Sequence, residues 1–326
     1  MIKFILRKIG KLMGLLVAIS IFSFILISNS PVDPVQSYIG AEISRISPEQ
    51  RTNIEEYWGL HRSKPEQYFL WSKAVFQGNL GESLIYRKPV TDIIWERFSA
   101  SILLMGIAWV LSGVFGLILG ILAGMNEGSI LDRIIKSYSF ILASTPAFWF
   151  GLLVLMVFAA WLNWFPVGLA APAGSLRGEV SLADTFKHLF LPVLTLSIGG
   201  VASIALHTRE KMIEVLSSEF IRFARAKGLS GMRLFWRHGL RNISLPAISL
   251  HFASFGELFG GAVLTEQVFS YPGLGQAVVR AGLGGDIPLL LGITLFSVVF
   301  IFVGNFMADL LYVVIDPRMK TKQAHD

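Results

Sequence analysis

Few residues in this chain could do chemistry, and the most unusual of them lie in apolar surroundings. Glu257 stands in Gly256-Glu257-Leu258-Phe259-Gly260-Gly261, inside a long hydrophobic stretch. A carboxylate held in hydrocarbon costs several kcal/mol unless protonated or paired, so such a group marks a solute or ion pathway by default. The bland alternative is a structural hydrogen bond to a neighbouring helix. His207 and His251 lie in or beside similar stretches, which makes Glu257, His251 and His207 candidates for a translocation path. A metal would need two or more ligands on facing surfaces. His251 and Glu257 are six residues apart, hence on different sides of one helix, and cannot chelate together unless it unwinds. Histidines so placed more often serve as hydrogen-bonded packing residues. Asp309, also in an apolar run, suits a pairing with a neighbouring helix better than a proton relay.

Other reaction chemistry is missing. The chain has no cysteine, which removes disulfides, thiolate catalysis and Cys-based metal sites. Neither a His-Glu-x-x-His zinc pattern nor a Gly-x-Ser-x-Gly nucleophile turn occurs, which argues against an intramembrane enzyme. A nucleotide-binding loop needs Gly-Lys-Ser/Thr to cradle phosphate and magnesium, and here Gly10-Lys11 is followed by Leu12. No catalytic residue, bound cofactor or metal is expected of this chain.

The elements that hold these residues are set by composition. Of 326 residues, 53% are hydrophobic and 15% charged, against about 25% charged in ordinary soluble domains. Six stretches approach the roughly 20 apolar residues that span a bilayer: Phe4–Ile27, Ala100–Gly124, Ile134–Leu162, Leu189–Leu206, Leu245–Val268 and Leu289–Ile315. The expected fold is all-α and integral to the membrane, with six transmembrane helices. Pro146 in the third stretch and Pro192 at the opening of the fourth predict a kink or a helix start. Gly113, Gly116, Gly120 and Gly124 recur at helical intervals, so one face of the second helix is small and admits a close neighbour. Within the first stretch the apolar run Leu12–Ile27 follows Lys3, Arg7, Lys8 and Lys11 but lacks a clear small-x-small cleavage site, and reads as a retained helix rather than a signal peptide.

Charge sets the orientation. The net charge of +6 suggests nucleic acid only until the basic residues are located: they cluster where apolar stretches end, as the positive-inside rule predicts. Arg133 and Lys136 follow the second stretch. Arg209, Lys211, Arg222, Arg225, Lys227, Arg233, Arg237 and Arg241 follow the fourth, and Arg318, Lys320 and Lys322 lie in the tail. The opposite-side loops after the third and fifth stretches hold only Arg177, Lys187 and Arg280, and the first outside segment, about Ser28 to Phe98, is too long for charge counting to apply, which predicts both termini in the cytoplasm and no nucleic-acid partner. The first outside segment, with Trp58, Trp71 and Trp95, reads as a small extracytoplasmic subdomain. Its Ser47-Pro48-Glu49-Gln50 is a helix start, with Ser47 as N-cap and Pro48 at the first helical position.

The cytoplasmic loop from Met212 to Pro246 is the most informative segment. Met212, Val215, Leu216, Phe220 and Phe223 gather on one side at helical period, Arg222, Arg225 and Lys227 lie largely off that stripe, and Gly228 stops the helix as a left-handed C-cap would. A second short helix is expected around Met232–His238. Such a basic amphipathic segment either rests on the membrane surface or offers an apolar knob to a groove on a cytoplasmic partner. Ala224, Ala226 and Gly228 favour the second reading, because small residues admit another surface.

Phe223-Ala224-Arg225-Ala226-Lys227-Gly228-Leu229, followed by Arg237-His238-Gly239-Leu240-Arg241-Asn242 and Leu245-Pro246, resembles the coupling loop of the permease subunits of ATP-binding-cassette importers, in the dipeptide, oligopeptide and nickel group. The resemblance runs in order through most of the chain. It continues in Tyr57-Trp58-Gly59-Leu60 with Gln67-Tyr68, in Gly78-Asn79-Leu80-Gly81-Glu82-Ser83 with Pro89-Val90, in Phe269-Ser270-Tyr271-Pro272-Gly273-Leu274-Gly275-Gln276, and in Asp309 with Asp316-Pro317-Arg318. The general permease signature begins Glu-Ala-Ala, whereas Arg222 and Phe223 take its first two places here and Ala224 and Gly228 keep the fit. The Leu-Pro also stands further from the glycine than in sugar importers. Both departures suit the peptide and nickel branch.

The resemblance implies a type I importer permease fold in the bacterial inner membrane. By it, residues 1–28 form the N-terminal end and first helix, 29–98 the extracytoplasmic subdomain, 99–318 the five-helix core with coupling loop 212–241, and 319–326 the tail. Phe220, Phe223, Ala224, Ala226, Gly228 and Leu229 would dock on an ATPase, and Pro272, Gly273 and Gly275 would shape an outer gate. The partners it implies are a second homologous permease, two cytoplasmic ATPases carrying ATP and magnesium, an extracytoplasmic solute-binding protein and the lipid bilayer. The cargo would be short peptides, nickel or metal chelates, and the Gly-Glu-Leu stretch around Glu257 leans towards the metal. An ion-coupled secondary transporter is the competing function, but such proteins often carry internal repeats and none is evident.

Overall fold

The computed structural model describes residues 2–29, 33, 35, 47–57, 59–172, 174, 180–229, 231–234, 236 and 239–315. Trp58, Arg177, Arg237, His238, Asp316-Pro317-Arg318 and the 319–326 tail lie outside the described residues. In chain order the helices are α1 Ile2–Ser28, α2 Pro48–Tyr57, α3 Lys64–Phe76, α4 Val90–Met125 and α5 Ile130–Ala143. Helix α6, Ala147–Val154, continues as a π-helical stretch over Leu155–Trp161. Then come α7 Leu182–Ser217, α8 Glu219–Ala226, α9 Gly231–Leu234 and α10 Leu240–Ala253. The last three are α11 Phe255–Val268, α12 Leu274–Leu283 and α13 Ile287–Ile315.

Helices α1, α4, α7 and α13 are each long and apolar enough to cross a membrane unbroken; α5 with α6, and α10 with α11, qualify only as bent pairs. Counting each pair once gives the six predicted spans. The break expected at Pro146 in the third span is present: the chain turns through 104° between α5 and α6, because Pro146 cannot extend the helix that ends at Ala143. Other expectations need correction. The fourth span does not open at Pro192. Its helix starts at Leu182, where Ser181 Oγ accepts the Asp184 N–H at 3.1 Å, and Pro192 lies inside it. The fifth is bent by 48° at Ser254. Hydropathy locates the membrane rather than the helix, so Asp92, Glu96 and Arg97 hid the first turns of α4. The cap of α2 is as expected: the Gln50 N–H donates to Ser47 Oγ at 3.2 Å, and Gln50 Oε1 accepts the Ser47 N–H at 3.1 Å, a reciprocal capping box.

The chain forms two compact units, and α4 and α13 each contribute to both. The first unit comprises residues 1–101 and 272–302. Its organising residue is Asp286, wholly buried. One carboxylate oxygen accepts the Ser83 hydroxyl at 2.5 Å and the Ile85 N–H at 3.1 Å, and the other accepts the Leu289 N–H at 3.1 Å. It thus caps α13 and pins the preceding loop at once. That loop needs its glycines: Gly78 and Gly81 have φ of +82° and +86°, and the Gly81 N–H donates to Asn79 Oδ1 at 2.8 Å, an Asx turn.

The second unit comprises residues 102–271 and 303–326. The glycine face of α4 lies where predicted. A Cβ at Gly116 would meet Ile204 Cβ at 2.7 Å, one at Gly120 would meet Thr208 Cβ at 2.4 Å, and one at Gly124 would meet Met212 Cβ at 2.5 Å. Helix α4 therefore lies backbone-close along α7 in the manner of small-residue membrane helix pairs.

Candidate functional site

The basic element after α7 is built outward from a buried anchor. Helix α7 does not run on into α8: Ser218, at φ −68° and ψ 154°, is extended and divides them. The predicted single stripe is thereby corrected. Met212 and Val215 belong to α7 and are buried, whereas Phe220 and Phe223 belong to α8 and are exposed. The buried face of α8 is instead Ile221, at 0% exposure, with Ala224. These two join Met212, Val215, Leu234 and Ile243 in one apolar cluster, against which Ile121, Met125, Leu216, Leu229 and Leu240 pack. So α4, α7, α9 and α10 all hold α8.

What remains outside is the face Phe220 (46% exposed) and Phe223 (62% exposed), flanked by Arg222, Arg225 and Lys227, all exposed. The Lys227 ammonium sits 4.4 Å from the centre of the Phe223 ring, a cation–π contact that settles the ring. Glu219 in the first turn and Arg225 in the last both suit the helix dipole. The helix ends as predicted. Gly228 has φ +85°, its N–H donates to Arg225 O at 2.9 Å, and the Leu229 N–H donates to Ala224 O at 3.2 Å, a Schellman arrangement. Of the small residues expected to admit a partner, Ala226 and Gly228 are exposed while Ala224 faces the protein's own core. The second short helix expected around Met232–His238 is present as α9, Gly231–Leu234, while Arg237 and His238 lie outside the described residues.

An ion pair that the sequence reading missed braces this element. Asp132, buried at the start of α5, accepts from Nε and, at 2.8 Å, from Nη2 of Arg209 on α7, and from the Gly128 N–H at 2.9 Å. Bidentate, hydrogen-bonded geometry of this kind is what makes a buried pair worthwhile. Its signal was legible as Ser129-x-x-Asp132, a capping box, and the Asp132 N–H does donate to Ser129 Oγ at 3.2 Å. Asp286, likewise missed, had the signature of an N-cap before an apolar run with Pro288 in its first turn.

The path candidates are spread over three helices. Glu257 is exposed in the first turn of α11, where the helix N-terminus favours a carboxylate. His207 is exposed on α7, with Nδ1 2.9 Å from Ser203 O. His251 on α10 is buried and stacked on Trp109, with ring centres 4.3 Å apart, and the Trp109 indole N–H donates to the His251 carbonyl at 3.4 Å. A Cβ at Gly113 would meet His251 Nε2 at 2.7 Å. His251 is thus enclosed by helix packing, Glu257 and His207 are open, and no hydrogen bond or ion pair joins the three among the described residues. Nor do three His, Asp or Glu side chains converge as metal ligands among them. In the turn predicted as a gate, Gly273 precedes α12, the Leu274 N–H donates to Ser101 Oγ at 2.7 Å, and Gly273 and Gly275 are buried.

Comparison with known proteins agrees with this architecture. The family model described as "Binding-protein-dependent transport system inner membrane component" matches residues 116–321, and the N-terminal model of the same group matches residues 1–105. The oligopeptide transport system permease protein AppB of Bacillus subtilis is 35% identical over 98% of this chain and 100% of its own length. The di/tripeptide transport system permease protein DppB of Pseudomonas aeruginosa is 33% identical over 98% of this chain and 99% of its own. The dipeptide transport system permease protein DppB of Escherichia coli is 33% identical over 99% of this chain and 100% of its own.

Proposed function

Because the chain belongs to the family of binding-protein-dependent transport system inner membrane components, the multi-pass permeases of ATP-binding-cassette importers, we propose that it passes short peptides inward and is driven through α8. The cargo reading follows from relatives that match over nearly the whole chain and belong to oligopeptide, di/tripeptide and dipeptide transport systems. Nickel or a metal chelate has only the Glu257 stretch in its favour. Both termini are cytoplasmic in this reading, which rests on the clustering of basic residues in the segments after the second and fourth spans.

The observation that carries the coupling role is the two-faced build of α8. Ile221 and Ala224 lock one face into a core shared with α4, α7, α9 and α10, while Phe220 and Phe223 project from the other. A knob so anchored moves the helices when it is moved, as coupling to a partner's conformational cycle requires. Ala226, Gly228 and Leu229 border the same surface. The partners are two cytoplasmic ATPases that bind ATP and magnesium, a second homologous permease completing the path, and an extracytoplasmic binding protein delivering solute. This chain supplies neither nucleotide nor metal chemistry. Glu257 and His207, open on their helices, are the residues proposed to face the path, with His251 supporting Trp109 beside them, and the turn at Pro272, Gly273 and Gly275 is proposed to shape the outer gate.

The test is reconstitution of the four-subunit membrane complex with its binding protein in proteoliposomes. ATP-dependent uptake of a labelled dipeptide or tripeptide is expected, to be abolished by Phe223→Asp without loss of assembled permease. Uptake by the chain alone under an ion gradient would overturn the coupling reading. Uptake of nickel but not of any peptide would overturn the cargo reading alone.

A further inference from the structure

Helix α3 does not sit where a subdomain in water would place it. Its Tyr68 hydroxyl is 2.8 Å from the hydroxyl of Ser20 on α1, and its ring meets Phe24 edge-on with centres 5.3 Å apart. The apolar span of α1 runs to Leu26, so at 1.5 Å per residue Ser20 lies about 9 Å inside its end. The hydrocarbon half-thickness is about 15 Å. Tyr68 therefore reaches well into one leaflet, and its hydroxyl is paired there with that of Ser20, which also donates to Val17 O at 2.9 Å, as that depth demands. Trp71 packs beside Tyr68, with centres 5.9 Å apart.

The opposite side of α3 is uncovered. No residue of α3 is fully buried, and Phe69 and Phe76, two turns apart, are 66% and 80% exposed, with Leu70 exposed beside them. Helix α1 likewise presents Phe22, Ile25 and Leu26 outward. Glu66 and Lys73 share the exposed side. Glu66 lies in the first turn, and a lysine between two phenylalanines can lay its stem along apolar surface and lift its ammonium to the headgroups. Apolar rings with a snorkelling cation are the composition of a helix lying in the membrane interface.

We propose that α3 is a membrane-embedded interfacial helix, seated in the leaflet at the Ser28 end of α1 with Phe69 and Phe76 against lipid acyl chains. With the N-terminus cytoplasmic, as read above, that is the outer leaflet; the embedding itself does not depend on which leaflet it is. This chain has no native cysteine, so each single-cysteine variant is spin-labelled before assembly with unlabelled partner subunits. Phe69→Cys, Phe76→Cys, Phe22→Cys on α1 and Glu49→Cys on α2 are compared in the assembled transporter in phosphatidylcholine nanodiscs, by power saturation with oxygen and with a water-soluble nickel chelate. Oxygen access at positions 69 and 76 as high as at Phe22→Cys, with nickel access far below that at Glu49→Cys, is the expected result. Nickel access at 69 and 76 equal to that at Glu49→Cys would overturn the proposal in favour of a water-exposed helix. Exclusion of both reagents would overturn it in favour of a covering subunit. Failure of Phe22→Cys to show lipid access would instead refute α1 as a lipid-facing span, and the proposal with it.

Discussion

At the scale of single residues, the fold depends on a few positions with no room for alternatives. Gly120 has Thr208 Cβ 2.4 Å and Ala205 O 2.6 Å from where a Cβ would stand, whereas Gly106 has nothing within 4 Å. Gly120→Val is expected to cost about 3 kcal/mol through overpacking, and Gly106→Ala to be neutral or slightly stabilising. Thermal unfolding of the detergent-solubilised protein separates the two. Asp286 holds three donors in a buried setting, so Asp286→Ala should lower stability by about 2–3 kcal/mol. Asp286→Asn, which keeps an acceptor for the Leu289 N–H, should lose less, as read from the same melting curves. The glycine periodicity was visible in the sequence because it repeats at helical spacing. Asp286 was not singled out, because its partners Ser83 and Ile85 lie some 200 positions away in the chain.

At the scale of elements, α8 shows how a helix with two apolar faces divides its duties. Phe223→Asp alters only the outward face, so it should leave the fold intact while reducing peptide-stimulated ATP hydrolysis at least tenfold, a loss of about 1.4 kcal/mol in coupling or more. Ile221→Asp would bury an unpaired carboxylate in the shared core, and should instead deplete the assembled permease before any kinetics can be measured. Membrane abundance and ATPase rate, measured together on both variants, check the assignment. Gly228→Val forces a β-branched residue into φ +85° at about 1–2 kcal/mol. Since no atom lies within 4 Å of the added Cβ, the expected result is a frayed end of α8 and impaired coupling rather than a core clash. Periodicity alone merged α7 and α8 into one stripe. Only the extended Ser218 shows that Met212 and Phe223 face different neighbours.

At the scale of the whole molecule, the chain is a permease subunit, and on the proposal that partner ATPases supply its energy the purified protein alone is expected to show no ATP hydrolysis above background in a phosphate-release assay. What the sequence by itself determined is what local composition encodes: apolar stretches long enough for a bilayer, basic residues at their ends, the small face of α4, the caps at Ser47 and Gly228, and motifs in family order. These depend on neighbours within a few turns, and a few turns of chain display them. The tertiary structure alone decided the size of the 104° turn between α5 and α6, the pairing of Asp132 with Arg209, the burial of His251 under Trp109 and the contact of Tyr68 with Ser20. Each of these joins residues distant in the chain or turns on the direction a helix takes after a break, and hydropathy measures neither; it sums side chains along the chain and carries no information about which of them meet.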